Sequence, residues 1–267
     1  MPFDPQSPAL LRRIEEASLN SWPAPRQVLL DGWVLRFAGG YTRRANSATP
    51  LDPGQDGPVA LPAKIAACEA LYAAQGLPAL IRTRSFGDAA LAAGLDARGY
   101  TAEGLSPVLW MPLGPDVGSG HAAEGIELSE THPGPDWLDT QARLSGCDVA
   151  ARARILDAVA IPCAFAGARV DGPGSPLASL AFGAVHDGVV CLHLVATDPA
   201  FRRLGLSRGV VSALLGWARD RAGAQDASLQ VSAENAGASA LYARLGFRTE
   251  LFRYQYRRQP ATQLLSV

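Results

Sequence analysis

Pro199-Ala200-Phe201-Arg202-Arg203-Leu204-Gly205-Leu206-Ser207 stands between a run that alternates like a strand, Val189 to Thr197, and one that repeats like a helix, Leu206 to Arg221. In the helical run Leu206, Val210, Leu214 and Trp217 or Ala218 recur at three- and four-residue steps, the period of an amphipathic helix. A helix that opens out of a loop leaves the N–H groups of its first turn without helical partners. Those donors, the helix dipole, the guanidiniums of Arg202 and Arg203, and a glycine that lets another group approach the backbone make a site for a pyrophosphate.

Reading outward from this loop, the second half alternates short strands and helices. Gly125 to Ser129 reads as a strand, Pro135 to Leu144 and Asp148 to Val159 as helices, and Ala164 to Val170 as a strand. The Asp171-Gly172-Pro173-Gly174 cluster turns the chain into a strand from Leu177 to Val185, and Asp187-Gly188 makes a hairpin into Val189 to Thr197. Beyond the amphipathic helix, Leu229 to Ser232 reads as a strand. Asn235 caps a helix that ends at Gly246, and Leu251 to Arg257 alternates as a last strand. The order is β-α-α-β-β-β-α-β-α-β.

The loop P-x-x-R-x-x-G-x-S resembles the Q/R-x-x-G-x-G/A acetyl-coenzyme A loop of the GCN5-related N-acetyltransferases (GNAT), with Ser207 in place of the final small residue. Leu229-Gln230-Val231, Asn235 and Ala240-Leu241-Tyr242-Ala243-Arg244-Leu245-Gly246-Phe247 continue the likeness, the last matching the family's A-L-Y-x-x-x-G-F ending. The resemblance implies an α/β (α+β) fold in which a mixed, mostly antiparallel sheet is flanked by helices. It implies acetyl-CoA as co-substrate, with Val195, Ala196 and Thr197 holding the pantetheine and Arg202, Arg203, Leu204, Gly205, Leu206 and Ser207 the pyrophosphate. Asn235 would approach the pantetheine arm and Tyr242 the sulfur.

The chemistry such a site must perform is acyl transfer to an amine of a small molecule, amino acid or peptide. A lysine-like amine, with a pKa near 10.4, must lose a proton before it attacks a thioester. The oxyanion needs a fixed N–H donor, which the strand at Val195 to Thr197 can supply, and the leaving thiolate needs a hydrogen-bond donor, for which Tyr242 is the candidate. No carboxylate occupies the strand position where some family members keep a base; the residues there are Cys191-Leu192-His193-Leu194. Strict alternation gives His193 a common face with Val189, Cys191, Val195 and Thr197, and makes it the nearest titratable base. His186, Glu234 and a base acting through water are the other options, and a packed strand histidine is the structural alternative. A non-catalytic acetyl-CoA sensor or partner-docking module is the rival function, motivated by the missing carboxylate.

The first half repeats the ending of the second. Ala63 to Trp110 set beneath Arg208 to Tyr256 gives helix, strand, helix, glycine-aromatic, strand twice over, closing at Gly99-Tyr100 and at Gly246-Phe247. The expectation is therefore tandem GNAT-like domains, the first degenerate: residues 1–111, a linker at 112–124, the acetyltransferase domain at 125–258 and a tail at 259–267. The first copy has Asp52-Pro53-Gly54-Gln55-Asp56-Gly57-Pro58 before its helix and Leu95 at the position matching Tyr242, so it lacks the phosphate loop and the acid. Trp33, Arg36, Tyr41, Arg43, Arg44 and Asn46, on two strand-like pieces around Gly39-Gly40, are candidates for a substrate cleft, the arginines suiting a carboxylate or phosphate. The resemblance extends to two-domain bacterial GNAT proteins of the mycothiol synthase type.

Bulk properties agree. Of 267 residues 48% are hydrophobic and 18% charged, with a formal net charge of -1, which suits a core-forming protein and excludes a phosphate-neutralising nucleic-acid domain. No run approaches the roughly 20 apolar residues of a membrane span or the pattern of a leader, so a cytoplasmic location is expected. Cys68, Cys147, Cys163 and Cys191 have no paired spacing, so neither a metal nor a disulfide is expected. An internal duplication can satisfy the pairing of GNAT domains within one chain, leaving monomer or homodimer.

Overall fold

A computed structural model describes residues 4–5, 7–52, 59–118, 125–170, 172 and 174–261. The chain opens with α1 (Pro8–Asn20), β1 (Arg26–Leu30), β2 (Trp33–Phe37) and β3 (Ala48–Pro50). Next come α2 (Leu61–Ala73), β4 (Leu80–Arg84), α3 (Ala89–Asp96) and the long β5 (Thr101–Pro112). The second half runs β6 (Ile126–Ser129), α4 (Pro135–Ser145), α5 (Val149–Asp157), β7 (Cys163–Ala168), β8 (Ser179–His186) and β9 (Val189–Thr197). It ends with α6 (Leu206–Asp220), β10 (Asp226–Gln230), α7 (Ala236–Leu245) and β11 (Thr249–Arg258).

The chain forms two compact units. One contains the residues up to Pro23 together with Val108–Leu251, the other Ala24–Pro107 and the residues from Phe252 onward. These units differ from the division expected in sequence at both ends of the chain: α1 joins the second half, and most of β11 joins the first. The physical reason lies in strand pairing. The end of β5 pairs antiparallel with β10, Pro112 opposite Asp226, whereas β11 pairs antiparallel with β4, Tyr254 opposite Arg84. The last strand of each repeat thus completes the sheet built by the other half.

In the first unit β6, β7, β8 and β9 pair antiparallel in that order, and β9 pairs parallel with β10. Helix α6 covers one face. Val210, Val211, Leu214 and Leu215 pack there on Ala181, Val185, Val190 and Leu192, all buried. Two of the helices start at a side-chain cap: Asp148 accepts from the Ala151 N–H at 3.1 Å to cap α5, and Asn235 accepts from the Ala238 N–H at 3.0 Å to cap α7. The expected linker is described only at 112–118; residues 119–124 lie outside the described residues. Its described part packs on α6: the Arg219 guanidinium donates to the Pro115 carbonyl at 2.7 Å, and a Cβ on Gly118 would stand 2.6 Å from the Gly216 nitrogen.

The second unit orders its strands β1-β2-β3-β4-β11, with the early part of β5 beyond β11. Its core is formed by Trp33, Leu35 and Phe37 of β2, Ile81 of β4, and Ile65, Cys68, Tyr72, Leu91 and Leu95 from the two helices. Of the two strand-like pieces expected around Gly39-Gly40, the first is β2 and no strand follows until β3 at Ala48–Pro50. Asp31 and Gly32, at φ 43° and 79°, turn β1 into β2, because both central residues of such a turn need left-handed backbone. The matching repeat is present in both halves of the sequence, as α2-β4-α3-β5 and α6-β10-α7-β11, the last strand of each crossing the boundary between the units. The segment Asp52 to Pro58 falls largely on residues 53–58, outside the described residues, as do Asp171 and Pro173 of the turn before β8 and the end of the tail.

Candidate active site

The site begins where β9 parts from β10. Their parallel pairing runs from Val189–Asp226 to Leu192–Leu229 and stops there, while β9 stays paired with β8 out to Thr197 opposite Ser179. No β9–β10 register continues past Leu192–Leu229, so the edge of β9 at Val195 to Thr197 lies beyond the ladder with β10. The break has a local cause. Leu194 sits at φ 58°, a left-handed value rare for a branched residue, and the β8–β9 register shifts there, with Phe182 opposite His193 but Leu180 opposite Ala196. Strain of this kind is held by surrounding packing and concentrates at functional sites.

The same shift corrects the expected face of His193. Phe182 and Leu180 are two apart and share a face of β8, so their partners His193 and Ala196 share one too. Val195 and Thr197 fall on the other, and Val195 packs against the α6 core. His193 points away from α6 and is 5% exposed. Its ring lies against Trp22 at 5.5 Å and Phe182 at 5.9 Å, and its Nε2 is 2.8 Å from the Ser21 hydroxyl.

After β9, Asp198 fixes the loop. Its carboxylate accepts from the Ala200 N–H at 3.0 Å and from Arg143 at 2.6 Å, and these donors, the backbone one first, hold its pKa below the usual carboxylate range. A short 3-10 turn, Pro199–Phe201, leads to Arg203 at φ 69° and Gly205 at φ 82°. Alternation of left-handed residues curls successive N–H groups toward one point, an anion-binding concavity. Gly205 stands at the N-cap of α6, so no side chain caps the first turn, and a Cβ built on it meets nothing within 4 Å. Arg202, Arg203 and Leu204 are exposed around it. Ser207 does more than stay small: its hydroxyl is 2.5 Å from that of Thr197, which lies 2.8 Å from Ser179, tying the first turn of α6 to β9 and β8.

On the far side of the split, Tyr242 of α7 is 8% exposed, within the α6-side core that also holds Val231 and Phe247, with Val195 packed against it. Burial pushes its hydroxyl up to about 12, so it is a protonated donor at neutral pH. Gly246 at φ 107° ends α7, and the Phe247 N–H returns to the Tyr242 carbonyl at 3.0 Å. Asn235 is exposed, with its side chain engaged in the cap. Glu234 is exposed beside it, and His186 contacts Asn20 at 3.2 Å at the end of β8.

The first-half candidates divide by role. Trp33 belongs to the second unit's core. The Asn46 side chain accepts from the N–H groups of Ala38 and Gly40 at 2.8 and 2.9 Å and donates to the carbonyls of Tyr41 and Thr42, clamping that loop. Arg36 is buried and donates to the Arg44 carbonyl at 3.0 Å; burial first, then the like charges of Arg44 and Arg82, lowers its pKa to about 10. Arg43 is exposed, 3.7 Å from Glu103.

Sequence reading missed Ser21 and Trp22. Helix α1 does carry a readable signal, Pro8 at its start and Leu11, Ile14 and Ala17 on a buried face. That Ser21 would meet a residue 172 positions away has no local signature.

An unladdered strand end, a left-handed loop at a helix start and a buried tyrosine thus stand together in a chain that comparison with known proteins places in the GNAT superfamily. The chain belongs to the family described as "Probable histone acetyltransferase Rv0428c C-terminal", which matches residues 9–257. Its match to the Mycobacterium tuberculosis protein "Probable histone acetyltransferase Rv0428c" is 44% identical over 48 residues, 18% of this chain, and spans only 16% of that protein. It is 26% identical over 241 residues to "Uncharacterized N-acetyltransferase YobR" of Bacillus subtilis, covering 89% of this chain and 94% of that one. Its fold is that of a GCN5-related N-acetyltransferase from Kribbella flavida, at 20% identity and a TM-score of 0.70 over 96% of both chains. It is also like a tandem GNAT protein from the clavulanic acid biosynthesis pathway, at 15% identity and a TM-score of 0.61 over 74% of this chain and 70% of that one. No helix among the described residues is long and apolar enough to cross a membrane.

Proposed function

We infer that this protein transfers the acetyl group of acetyl-CoA to a primary amine of a small molecule, amino acid or peptide, using the unit that contains β9 and α6. The observation that carries the reading is the end of β9–β10 pairing at Leu192, followed by a loop whose left-handed Arg203 and Gly205 lead into an uncapped helix start. Pantetheine fits the unladdered edge at Val195 to Thr197, and pyrophosphate fits the donors of Arg202 to Ser207. Acetyl-CoA supplies a thioester carbonyl. Backbone N–H groups of the β9 edge stabilise the oxyanion formed there, and His193 is the base assigned to receive the amine's proton.

As the new C–N bond forms and the C–S bond breaks, the Tyr242 hydroxyl donates a hydrogen bond to the departing sulfur. With the tyrosine at about 12 and a free thiol near 8.5, complete proton transfer is uphill by about 5 kcal/mol. Hydrogen-bond donation is therefore its contribution, and solvent protonates the thiolate after release. Because the matching family is described as a probable histone acetyltransferase, the acceptor panel includes a histone peptide beside small amines and amino acids.

Calorimetric titration with acetyl-CoA, followed by thiol release against that panel, tests the reading. Binding of one equivalent with amine-dependent release supports it. Binding with no release from any amine favours a coenzyme A sensor, and no binding overturns it.

A further inference from the structure

We propose that the Thr197 side chain is a positioning residue for the pyrophosphate of acetyl-CoA, acting through Ser207 to hold the first turn of α6 against the end of β9. The proposal rests on the reading of Arg202 to Ser207 as the pyrophosphate loop.

A helix start that is to receive an anion has two conflicting needs. Its first-turn N–H groups must stay open to the ligand, yet a first turn without a cap frays. Gly205 occupies the N-cap of α6 at φ 82° and has no side chain with which to accept from those N–H groups. Ser207, two residues on, supplies a hold of another kind. Its Oγ is 2.5 Å from Thr197 Oγ1, which is 2.8 Å from Ser179 Oγ, and the Ser179 hydroxyl reaches the Ala196 carbonyl at 2.9 Å. A hydroxyl both donates and accepts, so each of these contacts is served whichever way the protons run. The chain fastens the turn to the sheet without engaging a backbone N–H of α6.

The far end of the chain is firmly placed. Ser179 is fully buried in β8, and Thr197 lies opposite it in the β8–β9 ladder. On the other side of Thr197 the Asp198 N–H donates to the Ala178 carbonyl at 2.8 Å, which secures the backbone there. Thr197 therefore serves both parts of the site. Its backbone ends the strand edge assigned to pantetheine, and its hydroxyl sets where the helix start stands relative to that edge. The Gly or Ala that the resembling loop carries in place of Ser207 cannot make this bond.

Calorimetric titration of the full chain with acetyl-CoA, paired with hydrogen exchange of the protein alone, tests this. Thr197→Val keeps the branched shape and the strand backbone and removes the hydroxyl. The Kd for acetyl-CoA is expected to rise about fivefold, the loss of one ordinary hydrogen bond, and amides from Leu206 to Val210 to exchange faster. Thr197→Ser, which keeps the hydroxyl, restores the affinity to within twofold of wild type. In a Ser207→Ala background Thr197→Val costs less than twofold, because the bond it breaks is already gone. Ser228→Ala removes another buried hydroxyl, one that donates to the Leu109 carbonyl at 3.0 Å, and leaves the affinity unaltered. An undiminished fivefold cost in the Ser207→Ala background overturns the proposal, as does an equal loss in Ser228→Ala. Wild-type binding that Thr197→Val leaves intact refutes this proposal alone, whereas a wild-type protein that does not bind acetyl-CoA refutes the loop reading and the proposal with it.

Discussion

Replacing Tyr242 by Phe removes one oxygen from a side chain that is 8% exposed and leaves the ring's packing against Phe247 in place. The lost interaction is a hydrogen bond to a sulfur that becomes anionic, and bonds to charged groups are worth about 1.5–3 kcal/mol. Applied to a transition state, that range predicts a kcat lower by roughly 10- to 100-fold. Acetyl-CoA affinity, set by the β9 edge and the α6 start, stays within twofold. Stopped-flow thiol release at saturating acceptor, alongside calorimetry, separates the two.

The same hydroxyl has a stability signature. Its folded pKa of about 12 lies above the unfolded value near 10, so its contribution is complete below pH 10 and is lost as pH rises through 12. The two-unit difference corresponds to about 3 kcal/mol. The Phe variant escapes that loss in denaturant titrations between pH 9 and 12. A kcat within twofold of wild type, with unchanged affinity, refutes the role of Tyr242 as thiolate partner. An identical alkaline loss in both proteins refutes its burial as the cause.

Gly205→Val forces a branched residue into φ 82° at the head of α6, costing about 1–2 kcal/mol; acetyl-CoA affinity measured by calorimetry is expected to fall roughly 5- to 30-fold. Asp88→Ala removes the carboxylate that accepts from the Arg84 Nε and Nη2 at 3.0 Å each and from the Arg84 N–H at 2.7 Å. Because Arg84 is 6% exposed, urea unfolding should show a loss of about 3–5 kcal/mol, and a loss under 1 kcal/mol contradicts the pairing. Asn46→Ala takes away two acceptor and two donor contacts in the Ala38–Thr42 loop, and a destabilisation of about 2–4 kcal/mol with acetyl-CoA affinity intact distinguishes a structural clamp from a substrate contact.

What the sequence determined by itself was local. The three- and four-residue steps of Leu206, Val210 and Leu214 gave α6 its length, Asn235 and Gly246 bounded α7, and the spacing of Arg202, Gly205 and Ser207 marked the loop that opens α6 and is proposed to hold a pyrophosphate, because each depends on neighbours within a turn or two of chain. The repeat of helix, strand, helix and glycine-aromatic was legible for the same reason, as was Leu95 standing where the second copy has Tyr242. Strand β10 shows the limit. It was expected at Leu229 to Ser232 from its apolar residues, but the register against Val189 draws it back to Asp226.

Tertiary structure alone decided three things. It assigned β11 to the sheet of the first half and the end of β5 to that of the second, since strand partners are chosen by hydrogen-bond ladders and not by proximity in sequence. It placed the bulge at Leu194, which overrides strict alternation and turns His193 away from Val195 and Thr197. And it brought α1 across from the first residues of the chain to bury Ser21 and Trp22 against His193, a contact between groups 172 residues apart that no local propensity encodes.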